Sequence, residues 1–357
     1  MPRLPPSLIR RAHSISPHLA TLLPACRDLA SARNELRWIR EHVSELPRHS
    51  PRRASEEKEI ALLAKLCRRR GTGYPLQYIL GSQPFGDLDI KCRPGVLIPR
   101  PETEAWVTHL AEIVRGSVAL RNGNGNGNGE DKVKNLGILD LCTGSGCIAL
   151  LLDSLLRPRF PGLNTKGFDI ESRAVALARE NLAFNAQRGL LQGPSSVSFE
   201  NADVFSSDWL SVLQGEENTV DVLVSNPPYI SAKGFACDTT RSVRIYEPKL
   251  ALVPPPSVSS LSVVDVAPED VFYARLLEVA DMLRPRFAVF EVGDLAQGLR
   301  VAQMVRSRCD NVEVEIWRDW PDMRPCEGEP ESVEVGGTDV PIRGSGNGRA
   351  VFIRRTI

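Results

Sequence analysis

Four consecutive residues, Asn226-Pro227-Pro228-Tyr229, carry the sharpest chemistry in this 357-residue chain. Two prolines remove two backbone N–H donors and fix the local backbone. The Pro227 carbonyl is left as a free acceptor, and the Asn226 side-chain oxygen offers a second. Together they can hold an NH₂ group by both of its hydrogens, while Tyr229 can stack on a flat group beside it. This suits alkylation of a planar nitrogen. An amide or aromatic amine delocalises its lone pair and is a poor nucleophile. Two acceptors orient it and stabilise the positive charge that grows as nitrogen bonds carbon. No strong base is needed before attack, and the proton can leave late, to water. Of the five histidines, His109 is the last, so the C-terminal two-thirds has no imidazole for general-base work or metal binding. In isolation the four residues also read as a proline-stiffened turn.

A second constellation lies upstream. Asp140-Leu141-Cys142-Thr143-Gly144-Ser145-Gly146-Cys147-Ile148-Ala149 follows an apolar run and opens a helix. Glycines here let the backbone turn sharply and let a ligand approach closely. Asp169 stands at the end of the next expected strand, where an acid can accept both hydroxyls of a ribose. Asp203 stands just past the third, within reach of an adenine amino group. A glycine loop, a ribose acid and an adenine acid fit an adenosine-bearing cofactor. They do not decide between NAD and S-adenosylmethionine.

The elements that must position these groups alternate. Strands are expected at Leu136 to Asp140, Lys166 to Ile170, Val197 to Asn201, Asp221 to Ser225 and Phe287 to Val292. Helices are expected at Cys147 to Leu156, Ser172 to Asn185 and Phe272 to Leu283. Val312 to Trp317 and Ala350 to Arg354 close the chain as an antiparallel pair. This rhythm predicts an α/β domain, a mainly parallel sheet with helices on both faces. Both loops then fall at the carboxyl ends of strands, the binding edge of such sheets.

Composition bounds the rest. With 42% apolar and 25% charged residues the chain can bury a core, which excludes wholesale disorder. No apolar run is long enough to span a membrane. Eight scattered cysteines form no C-x-x-C pair, so neither a zinc site nor a disulfide framework is expected. No metal is called for. Lys+Arg and Asp+Glu are both 44, yet residues 1–100 carry 18 basic and 9 acidic side chains. The remainder is net negative, which argues against a nucleic-acid substrate.

Residues 1–27 hold Arg3, Arg10, Arg11 and Arg27 and no acid, the signature of a mitochondrial targeting segment. The alternative is a basic, disordered N-terminus in a cytoplasmic protein. Residues 28–73 read as a small helical domain, 74–100 as a linker with short strands, and 101–357 as the α/β domain. Three low-complexity insertions are expected in the latter, at 122–129 (four Asn-Gly repeats), 254–268 and 325–348. Nothing demands an oligomer, and a monomer is expected.

The ordered motifs resemble the HemK/PrmC family, the N(5)-glutamine methyltransferases of peptide chain release factors, of the bacterial and mitochondrial type. Tyr74-Pro75-Leu76-Gln77-Tyr78-Ile79-Leu80-Gly81 is similar to that family's interdomain linker. Leu97-Ile98-Pro99-Arg100-Pro101-Glu102-Thr103-Glu104 resembles its signature at the active-site wall. The glycine loop, Asp169, Asn226 to Tyr229, Tyr246-Glu247-Pro248 and Glu291-Val292-Gly293 follow in the family's order. The resemblance implies a Rossmann-like, seven-stranded class I S-adenosylmethionine-dependent methyltransferase domain preceded by a small helical domain. It implies that Asp140, Cys142, Thr143, Gly144, Ser145, Gly146, Asp169, Asp203, Val204 and Asn226 bind the cofactor. It further implies that Asn226, Pro227, Pro228 and Tyr229, with Arg100 and Glu102, receive the glutamine of a release factor's Gly-Gly-Gln loop. Two positions depart from the family: Cys142 replaces a common glycine, and Val204 stands where an aromatic often packs on adenine. A cysteine fits if its backbone angles are ordinary. The weighed alternatives are an adenine-N6 nucleic-acid methyltransferase, a non-catalytic module on the same fold, and an NAD oxidoreductase. The last leaves the Asn-Pro-Pro-Tyr loop unexplained.

Overall fold

Prolines and short polar caps break the N-terminal region into helices. Pro6 and Pro17 each open one at a position where the missing N–H costs nothing. These are α1 (Pro6–Ile15) and α2 (Pro17–Cys26), followed by α3 (Leu29–Glu45), α4 (Arg52–Gly71) and α5 (Leu76–Leu80). Ser16 caps α2, and Asp28 caps α3 by accepting the Ser31 N–H at 2.8 Å. The computed structural model describes residues 3–46, 52–119, 136–191, 196–213, 219–259, 266–309 and 311–356. The expected Asn-Gly insertion at 122–129, and residues 260–265 of the one at 254–268, lie outside them. Within the latter, Pro256–Ser259 forms a short helix. Among the described residues no helix is long and apolar enough to cross a membrane.

The chain divides into two units: Met1–Gln83 with Cys92–Pro94 and Thr239–Glu247, and the remainder. In the first, Leu19, Leu22 and Leu23 of α2 are at most 2% exposed. Arg70 grips Glu35 with two hydrogen bonds, at 2.6 and 2.8 Å, and donates a third to the Tyr74 carbonyl. The helical unit thus starts before residue 28, because α2 supplies its core. The expected division at residue 27 is not one the structure makes. The 74–100 linker is also divided. Its first part is helical α5, and Tyr74 receives the edge of Tyr246 at 5.1 Å and the Arg69 guanidinium over its ring at 3.7 Å.

After α5, β1 (Ser82–Phe85) and β2 (Leu88–Lys91) form a two-stranded sheet, and α6 (Pro101–Ala119) of the second unit follows. Asn181 and Asn185, both fully buried, accept the β2 N–H groups of Lys91 and Asp89 at 2.7 and 3.0 Å. Between Gly137 and Arg355 the described residues form a single large sheet. Its strands are β3 (Gly137–Leu141), β4 (Asn164–Asp169), β5 (Ser196–Asn201), β6 (Val222–Ser225), β7 (Phe287–Glu291), β8 (Val312–Trp320), β9 (Ser332–Val335), β10 (Thr338–Arg343) and β11 (Ser345–Arg355). The spatial order is β5-β4-β3-β6-β7-β11-β8-β10-β9. β5, β4, β3, β6 and β7 run parallel, and β11 lies antiparallel between β7 and β8.

Side chains alternate between two cores, as the pleat requires. Ile138, Val222 and Val289 face the α6 and α7 (Cys147–Leu156) side, with α8 (Ser172–Gln187) beside them. Leu139, Leu223 and Phe290 face α12 (Val271–Leu283) and α13 (Leu295–Arg308). Three short helices complete the set: α9 (Ala232–Cys237), α10 (Arg241–Tyr246) and α11, the Pro256–Ser259 turn. The seven strands expected are present, but the sheet has nine. The expected loose insertion at 325–348 folds instead into the β9–β10 hairpin, turned by Gly336 and Gly337 at positive φ. Arg318, 4% exposed, holds its approach by donating to the Pro330 and Gly346 carbonyls.

If α2 belongs to the folded domain, Leu23→Ala should destabilise it by about 2–5 kcal/mol. Urea denaturation followed by circular dichroism reads this as a lowered midpoint. A midpoint equal to that of the native chain would mean that residues 17–26 are dispensable.

Candidate active site

The register of two adjacent strands sets the geometry. Leu141 at the end of β3 pairs with Ser225 at the end of β6, and the Ser225 hydroxyl donates to the Leu141 carbonyl at 2.7 Å. The next residues are Cys142 and Asn226, so the glycine loop and the Asn-Pro-Pro-Tyr loop leave the sheet side by side.

The glycine loop is tightly built. Thr143 donates its N–H to the Phe168 carbonyl at 3.0 Å and its hydroxyl to the Asp140 carboxylate at 2.6 Å. Gly146 has φ +79°, and a Cβ there would lie 2.9 Å from the Phe199 ring, so only glycine fits. Gly144 (φ +57°) donates its N–H to Asp169 at 2.8 Å, and Glu171 donates its own at 2.9 Å. A Cβ on Gly144 would meet nothing within 4 Å. Burial raises the Asp169 carboxyl above its ordinary range against these two hydrogen bonds. Ser145 is buried, and its carbonyl accepts from Asn181 at 2.9 Å.

Cys142 departs from expectation. Its φ is +61°, in the left-handed region, so its backbone angles are not ordinary. A side chain there costs roughly 1–2 kcal/mol. Its thiol sits beside the cavity, where burial and then the charge of Asp169 hold it well above the usual thiol range and keep it protonated.

A cavity of about 410 Å³ opens against both loops. Cys142, Thr143, Gly144, Ser145, Asp169, Asp203, Val204, Asn226, Pro228 and Arg100 of the expected site residues line it. Asp203 is exposed and accepts the Phe205 N–H at 2.9 Å. Asp140 is fully buried behind the loop, and its Oδ1 has no hydrogen-bond partner among the described residues. Gly146 and Pro227 stand behind the wall. Glu102, in the first turn of α6, is not among the lining residues, and Thr103 takes its place. Tyr229 does not line the cavity either. Its hydroxyl donates to Glu291 at 3.2 Å, and its carbonyl accepts from Gln297 at 3.1 Å. Sequence reasoning missed the aromatic wall. Phe205, Trp209 and Phe272 surround Val204, with Phe205 and Phe272 edge to face at 4.9 Å. Each lies in a segment whose apolar character marks core as readily as site.

Neither Asn226 nor the Pro227 carbonyl makes a hydrogen bond among the described residues, and Asn226 is half-buried at the cavity wall. Two acceptors are therefore uncommitted where the fold ends its two central strands.

Two substitutions probe the loop. Burial, reinforced by Asp169, raises the Asp140 carboxyl from 3.8 to about 7 against the Thr143 hydrogen bond. An acid whose folded pKa is raised binds more protons folded than unfolded, so its contribution to stability falls as pH rises through this window. Asp140→Asn should flatten the loss between pH 4 and 7, measured as the difference in unfolding free energy from the native chain; identical pH profiles would contradict the assignment. Cys142→Gly should gain about 0.5–1 kcal/mol after the added chain entropy of glycine, read as a higher melting temperature. A lower one would show that the thiol's packing outweighs its backbone strain.

Comparison with known proteins places the chain. Residues 21–81 match the PrmC N-terminal domain, and residues 130–245 match the methyltransferase small domain. The mitochondrial MRF1 N(5)-glutamine methyltransferase MTQ1 of Saccharomyces cerevisiae is 38% identical over 254 residues, covering 71% of this chain and 68% of that protein. A probable mitochondrial counterpart from Schizosaccharomyces pombe is 37% identical, covering 67% and 69%. The release factor glutamine methyltransferase of Vibrio cholerae is 33% identical, covering 69% of each. With helical unit, glycine loop and Asn-Pro-Pro-Tyr loop all in the family's order, the chain belongs to the release factor glutamine methyltransferases.

Proposed function

We propose that this protein methylates the side-chain amide nitrogen of the glutamine in the Gly-Gly-Gln loop of a mitochondrial peptide chain release factor. The observation that carries the reading is a pair of uncommitted acceptors on one loop, Asn226 Oδ1 at the wall of the glycine-loop cavity and the carbonyl of the next residue, Pro227.

The family's methyl donor, S-adenosylmethionine, fits the residues present. The loop around Gly144 leaves a cradle that a Cβ would enter. Asp140 presents an orphaned buried carboxylate oxygen. Asp169, fixed at the cavity wall by two backbone donors, would accept the ribose hydroxyls. Phe205, Trp209 and Phe272 supply the aromatic wall that Val204 alone would lack. When bound, the donor supplies an electrophilic methyl on a cationic sulfur with a good leaving group.

This chain's own residues do the rest by placement. Asn226 and the Pro227 carbonyl take both amide hydrogens of the glutamine, fixing the plane of the nitrogen. As nitrogen gains positive charge, the same oxygens stabilise it. The proton is released after attack, which suits a site without a histidine. The helical unit, with the basic excess of residues 1–100, serves to grip the release factor away from its glutamine. The mitochondrial part of the reading is supported by the names of the yeast relatives.

Incubation with a mitochondrial release factor and S-adenosylmethionine should add one methyl group to the Gly-Gly-Gln glutamine, seen by mass spectrometry. Asn226→Ala should lower turnover by about 10²-fold or more, with donor affinity by calorimetry largely kept. Near-native turnover of that variant would end the amide-clamp reading.

A further inference from the structure

Glu291 is 1% exposed at the end of β7, a place where an aliphatic side chain would be cheaper to bury. Its carboxylate collects three donors from two other segments. Oε2 accepts the Thr103 hydroxyl at 2.6 Å and the Trp106 indole N–H at 2.9 Å, both from α6. Oε1 accepts the Tyr229 hydroxyl at 3.2 Å. The Glu291 carbonyl in turn accepts from the Tyr273 hydroxyl at 2.8 Å. Tyr229 is held a second time through its backbone. Gln297, 3% exposed in the first turn of α13, donates to the Tyr229 carbonyl at 3.1 Å and to Asp270 at 2.8 Å, and accepts the Gly293 N–H at 2.8 Å. Gly293 also faces the Tyr229 ring so closely that a Cβ would lie 3.1 Å from it.

We propose that Glu291 and Gln297 are positioning residues, and that Tyr229 is their handle on the Asn-Pro-Pro-Tyr loop. The proposal rests on the methyltransferase reading and assigns Tyr229 a different duty from substrate stacking. The loop is pinned upstream where Ser225 bonds Leu141, and downstream where Tyr229 is held at its hydroxyl and its carbonyl. Between the pins two prolines remove backbone freedom. The two acceptors are thereby set relative to the cavity by two buried side chains and a half-buried tyrosine that line no part of it. Displacing reacting groups by about 1 Å can cost 10²-fold in rate, so the tether acts on turnover before it acts on binding. Because Thr103 both lines the cavity and bonds Glu291, the same carboxylate joins the α6 wall to the acceptor loop.

The test uses the full chain. Tyr229→Phe keeps the ring and removes only the hydroxyl, so the fold should persist. We expect kcat on a release factor to fall about tenfold, with donor affinity within twofold of native and little change in melting temperature. Glu291→Gln should do the same, and the double variant should be no slower than the slower single one, because both cut one tether. Amide hydrogen exchange at Tyr229 and Ile230 should accelerate at least tenfold in Tyr229→Phe, whether or not the release factor is the substrate. A native-like exchange rate in that variant overturns the proposal, as do multiplicative losses of kcat in the double variant. Failure of the functional reading looks different: the native chain itself would leave the glutamine unmodified, while the exchange measurement would still decide the tether.

Discussion

The chemistry of this protein depends on a single strand pairing. Leu141 and Ser225 stand opposite each other where β3 and β6 end, and the Ser225 hydroxyl closes the gap between them. A register slip of one residue would reverse the faces of every side chain in β6 and carry Asn226 away from Cys142. The apolar alternation on both faces of these strands opposes such a slip, since Val222 and Val224 belong to one core and Leu223 to the other. Hydrophobic burial in the strands thus fixes the position of the two loops.

Carboxylates with neutral partners mark the region around the cavity. Asp140 leans on a threonine, Asp169 on two backbone N–H groups, and Glu291 on a threonine, an indole and a phenol. Elsewhere buried acids take arginine, as Asp153 does with Arg157 and Asp270 with Arg300. Neutral donors hold a carboxylate in place without cancelling its charge. Burial at the same time pushes all three carboxyls above their ordinary range, toward the neutral form.

Much of this was legible in the residues. The helix from Cys147 to Leu156 has the expected bounds, because glycine opens it and the apolar run ends with it. The two loops, their place at the carboxyl edge and the acids beside them followed from spacing alone. Other features were hidden for physical reasons. The β9–β10 hairpin is built from polar, glycine- and proline-bearing residues whose pairing is set by neighbours, and such composition reads as loop. The α13 helix is not among the expected elements, although Gln297-Gly298 within it belongs to the ordered motifs. Cys142 shows the limit of residue type as a guide: cysteine argues for ordinary angles, while the turn between Leu141 and Thr143 requires a positive φ. Glu291 was visible only as part of a motif, since a lone carboxylate at a strand end does not announce the donors that will surround it.

The helical unit is not a continuous stretch of chain. Thr239–Glu247, which includes α10, belongs to it although that segment interrupts the catalytic sequence. Ser242 donates to the Gly73 carbonyl at 2.7 Å, and Tyr246 lies against Tyr74. On a ribosome adding roughly 5–20 residues per second, α1 to α5 emerge and then wait on the order of ten seconds or more for their last helix. The order of synthesis thus makes the amino-terminal portion the first to appear, yet leaves it incomplete until Glu247 has been added. Cutting the gene at the apparent domain border would orphan a piece of one unit inside the other.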